Sequence, residues 1–248
     1  MGKSVKIFLT PDELAESLAS DLAEKINAAA SRKSSFMVAV SGGNTPKDLF
    51  SLLGNKFTTA INWNYVHIFW VDERCVPPDD PESNYGMTKK TLLGNINIPS
   101  SNVHRMKGEE DPDKEALFYS LEIYKTVPER DGLPCFDLIM LGLGDDGHTA
   151  SIFPGNEHLF SSDRICVSAV HPQTGQQRLT ITGKVINNAA EVLFLVTGPD
   201  KAGVVKKVAG GRSRTRHLPA SYVVPTNGKL LWYLDKNAAS LLGKEMTE

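Results

Sequence analysis

Residues 36–53 read FMVAVSGGNTPKDLFSLL. Phe36–Val40 is an apolar run without a polar break, too short for a helix and the right length for a strand. A run without alternation is buried on both faces, as strands inside parallel sheets are. Gly42 and Gly43 then punctuate the chain. Thr45-Pro46 opens a helical pattern with Leu49, Leu52 and Leu53 as its apolar residues. Strand, glycine turn and helix make the first half of a βαβ unit.

The same order recurs outward from this stretch. Val66–Val71, Phe136–Leu141 and Val192–Val196 read as further buried strands. Upstream, Thr10-Pro11-Asp12-Glu13 is a capping box with Pro at the first helical position, and Leu14, Leu18, Leu22 and Ile26 share one face behind it. Downstream, helices are expected over about 84–94 and after Asp111-Pro112, the latter with Leu117, Leu121 and Tyr124 turned inward. Pro199 opens another, carrying Val204, Val205 and Val208, and the chain closes with a strand at Leu230–Leu234 and a short helix at Ala238–Leu242. Alternation of this kind predicts an α/β fold with right-handed crossovers and a mostly parallel sheet covered on both faces. With no internal repeat and no Gly/Ser linker, residues 1–248 are expected to form one domain. The Pro-rich stretch 76–84, VPPDDPESN, is too short to divide it and reads as an active-site loop or a long turn.

Composition narrows the class. Charge is balanced, with 27 Lys+Arg against 29 Asp+Glu, so there is no positive field to capture nucleic acid. No apolar run approaches the roughly 18 residues of a membrane span. The start, MGKSVKIFLT, has no apolar signal core, and Lys6 stands where a myristoylation signal wants Ser or Thr. Cys75, Cys135 and Cys166 are odd in number and form no C-x-x-C, which argues against a disulfide framework or a zinc ribbon. A reduced, cytoplasmic protein is expected.

In open parallel sheets ligands bind outside the carboxyl ends of the strands. Here Ser41-Gly42-Gly43-Asn44-Thr45, Asp72-Glu73-Arg74, Gly142–His148 and Thr197–Lys201 follow the four apolar strands, which predicts one convergent cleft. Two glycines before a helix let backbone N–H groups approach an anion, with Thr45 available as a cap; a tight, well-capped turn is the alternative. No Walker A motif occurs. Lys201 and Lys47 each sit near a helix start, where the dipole disfavours a cation, and a bound polyanion would account for both.

Gly142-Leu143-Gly144-Asp145-Asp146-Gly147 matches a dinucleotide fingerprint, but Asp145 and Asp146 would repel a pyrophosphate. His148 follows in the same loop, with Asp146 two residues away. It reads as a capping or surface histidine, as a general base oriented by a carboxylate, or as a metal ligand. The remaining histidines show neither H-x-x-x-H nor H-E-x-x-H spacing, which weakens the metal reading. Arg74 either pairs with its acidic neighbours or holds an oxyanion. Arg178, in RLTIT, shares a strand face with Thr180 and Thr182. Arg212, Arg214 and Arg216 read as a solvated loop, and Cys75 as a bystander.

SGGNTPK, VDERCVPPDDPESNYGM, FDLIMLGLGDDGHTASIFPG, QRLTIT and TGPDKA, in this order and followed by LPAS at 218–221 and LLWYLD at 230–235, resemble the 6-phosphogluconolactonases across nearly the whole chain. The resemblance implies a three-layer α/β/α fold shared with glucosamine-6-phosphate deaminases, and hydrolysis of a phosphorylated sugar lactone without an obligatory cofactor or metal. It implies His148 as general base, Arg74 facing the substrate, and Asp146 orienting His148 or bonding within its loop. It also implies that Ser41, Gly42, Gly43, Asn44, Thr45, Arg178 and Lys201 contact phosphate, with Asp72 beside them. Two departures separate the chain from the deaminases: Phe153 stands where they carry a glutamate, and Arg74 where they carry an aromatic. A non-catalytic sugar-phosphate sensor would keep the phosphate loop and could dispense with His148. The oligomeric state, monomer or dimer, is left open.

Overall fold

The computed structural model describes residues 3–211 and 217–243. Its strands are β1 (Lys3–Phe8), β2 (Phe36–Val40), β3 (Val66–Trp70), β4 (Asp72–Arg74), β5 (Val103–His104), β6 (Glu129–Arg130), β7 (Leu133–Pro134), β8 (Leu138–Leu141), β9 (Cys166–Val170), β10 (Gln177–Ile181), β11 (Glu191–Val196) and β12 (Lys229–Asp235). Its α-helices are α1 (Pro11–Ser31), α2 (Asn44–Lys56), α3 (Asn84–Thr88), α4 (Pro112–Thr126), α5 (Gly183–Asn188) and α6 (Ala202–Val208).

Seven strands form one sheet in the order β1-β12-β11-β8-β2-β3-β5, and every pairing in it is parallel. The four apolar runs are its four central neighbours, β11-β8-β2-β3. Alternate residues of one strand enter opposite cores. Phe36, Val38 and Val40 of β2 pack with α1 and α2, whereas Met37 and Ala39 pack with α4, α5 and α6. This is why the strands read as unbroken apolar runs: both faces are covered. With helices on each side of the sheet, the three-layer α/β/α arrangement holds.

The second layer contains something the strand pattern did not suggest, an antiparallel sheet β4-β10-β9. In it Arg178 lies opposite Arg74, and Thr180 opposite Asp72. A further hairpin joins β6 and β7. The edge strand β1 was also not read, because Lys3, Ser4 and Lys6 break its apolar pattern.

Three expectations need correction. In α4 the inward residues are Ala116, Tyr119 and Ile123, while Leu117, Leu121 and Tyr124 are 61%, 57% and 41% exposed. Both triplets have helical spacing. The one that packs offers small Ala116 for close approach and Tyr119, whose hydroxyl donates to Trp70 O at 2.9 Å and accepts from Trp70 N at 2.8 Å. Ala238–Leu242 forms hydrogen-bonded turns rather than a helix. The helix read from 84 to 94 is α3 followed by a π-helical turn, Lys89–Leu93.

Between β2 and β8 the chain changes direction across the sheet, since β3 lies on one side of this pair and β11 on the other. A crevice opens beyond their carboxyl ends, as such a switch point requires.

Candidate active site

A cavity of about 550 Å³ occupies that crevice. Ser41, Gly42, Gly43, Asn44, Thr45, Asp72, Arg74, His148, Arg178 and Lys201 all line it. Asp146 does not; it stands behind His148. Arg212, Arg214 and Arg216 lie outside the described residues.

The β2–α2 turn is pinned without using its backbone amides. Ser41 Oγ donates to Met140 O at 2.9 Å, tying the ends of β2 and β8 together. Thr45 does not cap α2: its hydroxyl shares a 2.8 Å bond with that of Thr197 at the end of β11. The helix is instead preceded by Gly43, with no side-chain cap and no acid in its first turn. Its leading N–H groups therefore face the cavity with the positive end of the helix dipole behind them. A Cβ on Gly42 would lie 1.8 Å from Asn84 Oδ1, so any larger residue there would displace the Asn84 amide from Asp72 O.

The histidine loop is equally tight. His148 Nδ1 lies 2.6 Å from Asp146 Oδ1, and that oxygen also accepts from His148 N at 3.0 Å. Desolvation works to raise the Asp146 pKa, but these bonds and the histidine's charge bring it below the ordinary carboxylate value. In the neutral imidazole the carboxylate accepts from Nδ1–H, so Nε2 keeps its lone pair. A Cβ on Gly144 would sit 2.1 Å from His148 Nδ1, so the imidazole rests directly on the Gly144 backbone. Phe153, 2% exposed, packs its ring 5.0 Å from that of His148.

Arg74 and Arg178 face one another across β4–β10. Like charges directly opposite are unfavourable on a sheet. Burial, and after it the charge of Arg74, lower the Arg178 pKa. Both Nε atoms are buried without a partner among the described residues. Arg74 also donates to Glu82 O in the Pro-rich loop, whose last residue, Asn84, lines the cavity. Two guanidinium groups opposed in one cavity favour an anionic or oxyanionic partner between them.

Glu73, between these charges, plays a structural part. Its carboxylate accepts from Arg74 N, Asn84 N and Tyr85 N at 2.7–2.8 Å, and from Ser83 Oγ at 3.1 Å. Burial raises its pKa despite these bonds. It thus anchors the loop that presents Asn84. Asp72 accepts from Ser151 Oγ at 2.8 Å, and its backbone oxygen accepts from Asn84 Nδ2 at 2.9 Å.

Lys201 donates to Asp145 Oδ1 at 2.6 Å. Its position at a helix start is therefore partly offset by a carboxylate that the sequence reading had cast only as an obstacle to pyrophosphate. Lys47 is exposed and does not line the cavity, which leaves Lys201 as the one of the two helix-start lysines that faces it. Burial first, and then the Glu73 charge, push the Cys75 thiol up to about 11, making it a poor nucleophile. Among the described residues no three of His, Cys, Asp and Glu gather as a metal site would require.

Asn84, Ser151 and His171 also line this cavity and went unread, whereas Thr197 lies in the strand-end segment expected to border the cleft. Asn84 ends the Pro-rich stretch, whose reading as an active-site loop could have found it. His171 carried one signal, the turn residues HPQTG just before RLTIT.

Fold and cleft together define an α/β protein whose parallel sheet presents a crevice walled by an uncapped helix start and two opposed arginines, beside a carboxylate-oriented histidine. A family model described as glucosamine-6-phosphate isomerases/6-phosphogluconolactonase matches residues 9–232, and the chain belongs to this family. It is 42% identical over 206 residues to a 6-phosphogluconolactonase of Haemophilus influenzae, covering 83% of this chain and 87% of that one. To the 6-phosphogluconolactonase of a Synechocystis strain it is 36% identical over 244 residues, covering 98% and 99%. The solved structure of 6-phosphogluconolactonase from Trypanosoma brucei superposes with a TM-score of 0.86 at 28% identity, covering 98% of this chain and 99% of that one.

Proposed function

We propose that this protein hydrolyses 6-phospho-D-glucono-1,5-lactone to 6-phospho-D-gluconate in the oxidative pentose phosphate pathway, using a water that His148 activates. The observation that carries the mechanism is the 2.6 Å pairing of His148 with Asp146 in a cavity that also holds the opposed Arg74 and Arg178.

A lactone is a cyclic ester. Its hydrolysis needs a deprotonated water, a stabilised tetrahedral oxyanion and a proton for the departing ring oxygen. His148 Nε2 takes a proton from water as the oxygen attacks C1. Negative charge then gathers on the former carbonyl oxygen, where the Arg74 fork meets it. Collapse of this intermediate breaks the bond between C1 and the ring oxygen, and the imidazolium returns its proton to that oxygen. Asp146 keeps the ring in the tautomer that can accept, and stabilises the imidazolium between the two transfers. The reaction consumes water alone and requires no cofactor.

The phosphate acts as a handle remote from C1. It carries about −1.5 to −2 charge at pH 7, by analogy with phosphoserine. The open start of α2, Arg178 and Lys201 supply its partners, and Lys201 exchanges Asp145 for the ligand. An isomerase or deaminase reading is disfavoured by Phe153, which places a buried ring where a carboxylate would be required. A cytoplasmic setting agrees with the free thiols of Cys75, Cys135 and Cys166.

The direct test follows acid release from freshly generated 6-phosphogluconolactone, with spontaneous hydrolysis subtracted. The reading expects acceleration that requires the phosphate, so that unphosphorylated gluconolactone is a much poorer substrate. Hydrolysis no faster than the blank would overturn it.

A further inference from the structure

The cavity holds a second histidine, His171, in the turn joining β9 to β10. Its Nδ1 accepts from two backbone groups of its own turn, Gln173 N at 3.2 Å and Thr174 N at 3.3 Å. A backbone N–H can only donate, so Nδ1 is unprotonated and the ring proton resides on Nε2. Among the described residues nothing accepts from that Nε2.

Hydrogen bonds brace the turn. His171 N donates to Gln176 O, and Gly175 N to His171 O, both at 2.9 Å. Gln176 Nε2 donates to Glu82 Oε2 at 2.8 Å, joining the turn to the Pro-rich loop. On its other side the His171 ring meets Phe153 edge to face, with centroids 4.9 Å apart. Phe153 thus separates two imidazoles of opposite tautomer, His148 with a free lone pair and His171 with a free proton.

We propose that His171 is a specificity-determining residue that donates Nε2–H to a hydroxyl oxygen of the sugar. The inference rests on the reading of the cleft as a sugar-phosphate site. A neutral donor suits an uncharged acceptor, and the charged partners of the phosphate are already present in Arg178, Lys201 and the start of α2. Proton abstraction by His171 is excluded while Nδ1 is occupied, because its remaining nitrogen already bears hydrogen.

The test is a pair of calorimetric titrations on the full-length protein, with sorbitol 6-phosphate and with inorganic phosphate. Sorbitol 6-phosphate carries hydroxyls and phosphate but neither lactone nor carboxylate. His171→Phe keeps a ring against Phe153 and removes the donor; His171→Gln places an amide N–H near the former Nε2. The phenylalanine variant should bind sorbitol 6-phosphate roughly 3–10-fold more weakly, as for a lost neutral hydrogen bond, and phosphate unchanged. Glutamine should recover part of the loss, and in the lactonase assay His171→Phe should raise KM while kcat holds. Equal weakening toward both probes, or none toward either, would overturn the proposal. A wild-type protein that binds neither probe would remove the sugar-phosphate reading itself, and this inference with it.

Discussion

Two helices of this protein begin with the same dipeptide and use it differently. At Thr10-Pro11, the Thr10 hydroxyl accepts from Glu13 N at 3.2 Å and Glu13 accepts from Leu9 N at 3.0 Å, while Asp12 and Glu13 place acids in the first turn of α1. At Thr45-Pro46 the helix has already started, its first turn has neither cap nor acid, and the threonine hydroxyl is spent on Thr197. The α1 start is satisfied by the chain itself, and the α2 start is left for something the chain does not contain. Helix α4 repeats the first solution, with Asp111 accepting from Lys114 N at 3.0 Å. A terminus left open at a strand switch point, beside two opposed arginines, forgoes stability where a ligand can supply the missing charge.

The sharpest way to break this comparison is to give α2 the acid it lacks. Asn44→Asp should add about 0.3–1 kcal/mol of helix stability through the dipole. It should cost several kcal/mol in binding of the phosphorylated lactone, since a carboxylate would then face the phosphate. The unfolding temperature and KM, measured on one preparation, should therefore both rise, stability gained as binding is lost. A variant that binds as tightly as the parent would show that the phosphate lies elsewhere.

Removing the cations is a smaller perturbation. Arg178→Ala and Lys201→Ala should each weaken the phosphorylated substrate by about 1.5–3 kcal/mol and leave an unphosphorylated lactone nearly unaffected. Steady-state kinetics on both lactones checks this, and equal losses on the two would detach these residues from the phosphate. Arg178→Ala should also relieve its repulsion with Arg74, so stability without ligand should hold or rise. At the satisfied end, Thr10→Ala should lower stability by about 0.5–2 kcal/mol, read by denaturant unfolding, and leave kcat and KM in place.

The two helix starts also show what a sequence discloses. The parallel sheet was legible because strands covered on both faces become unbroken apolar runs, and Gly42, Gly43 and Pro46 mark the turn that follows them. The fate of each hydroxyl was not. Thr45 and Thr10 precede proline alike, and only the nearness of Thr197 from a distant strand diverts Thr45 from capping. The antiparallel sheet escaped for a related reason: β4 is three residues long, and the Arg74–Arg178 opposition exists only once β10 pairs with it. In α4 two apolar triplets satisfied the helical period, and the choice fell to a hydrogen bond between Tyr119 and a strand backbone. The histidine loop was readable because Asp146 and His148 are close in sequence, whereas His171 enters from another hairpin and acquires its meaning from the turn that fixes its tautomer.

The central claim is that His148 takes a proton from water while the phosphate is held apart from it. The direct measurement is kcat and KM for 6-phosphogluconolactone in the wild type and in His148→Ala, with the spontaneous rate subtracted at each pH. The account predicts a fall in kcat of roughly 10²–10⁴ with KM nearly unchanged. It predicts the same failure in His148→Asn, whose amide cannot accept the proton. Undiminished kcat in His148→Ala would contradict it and leave Arg74 as the remaining catalytic group.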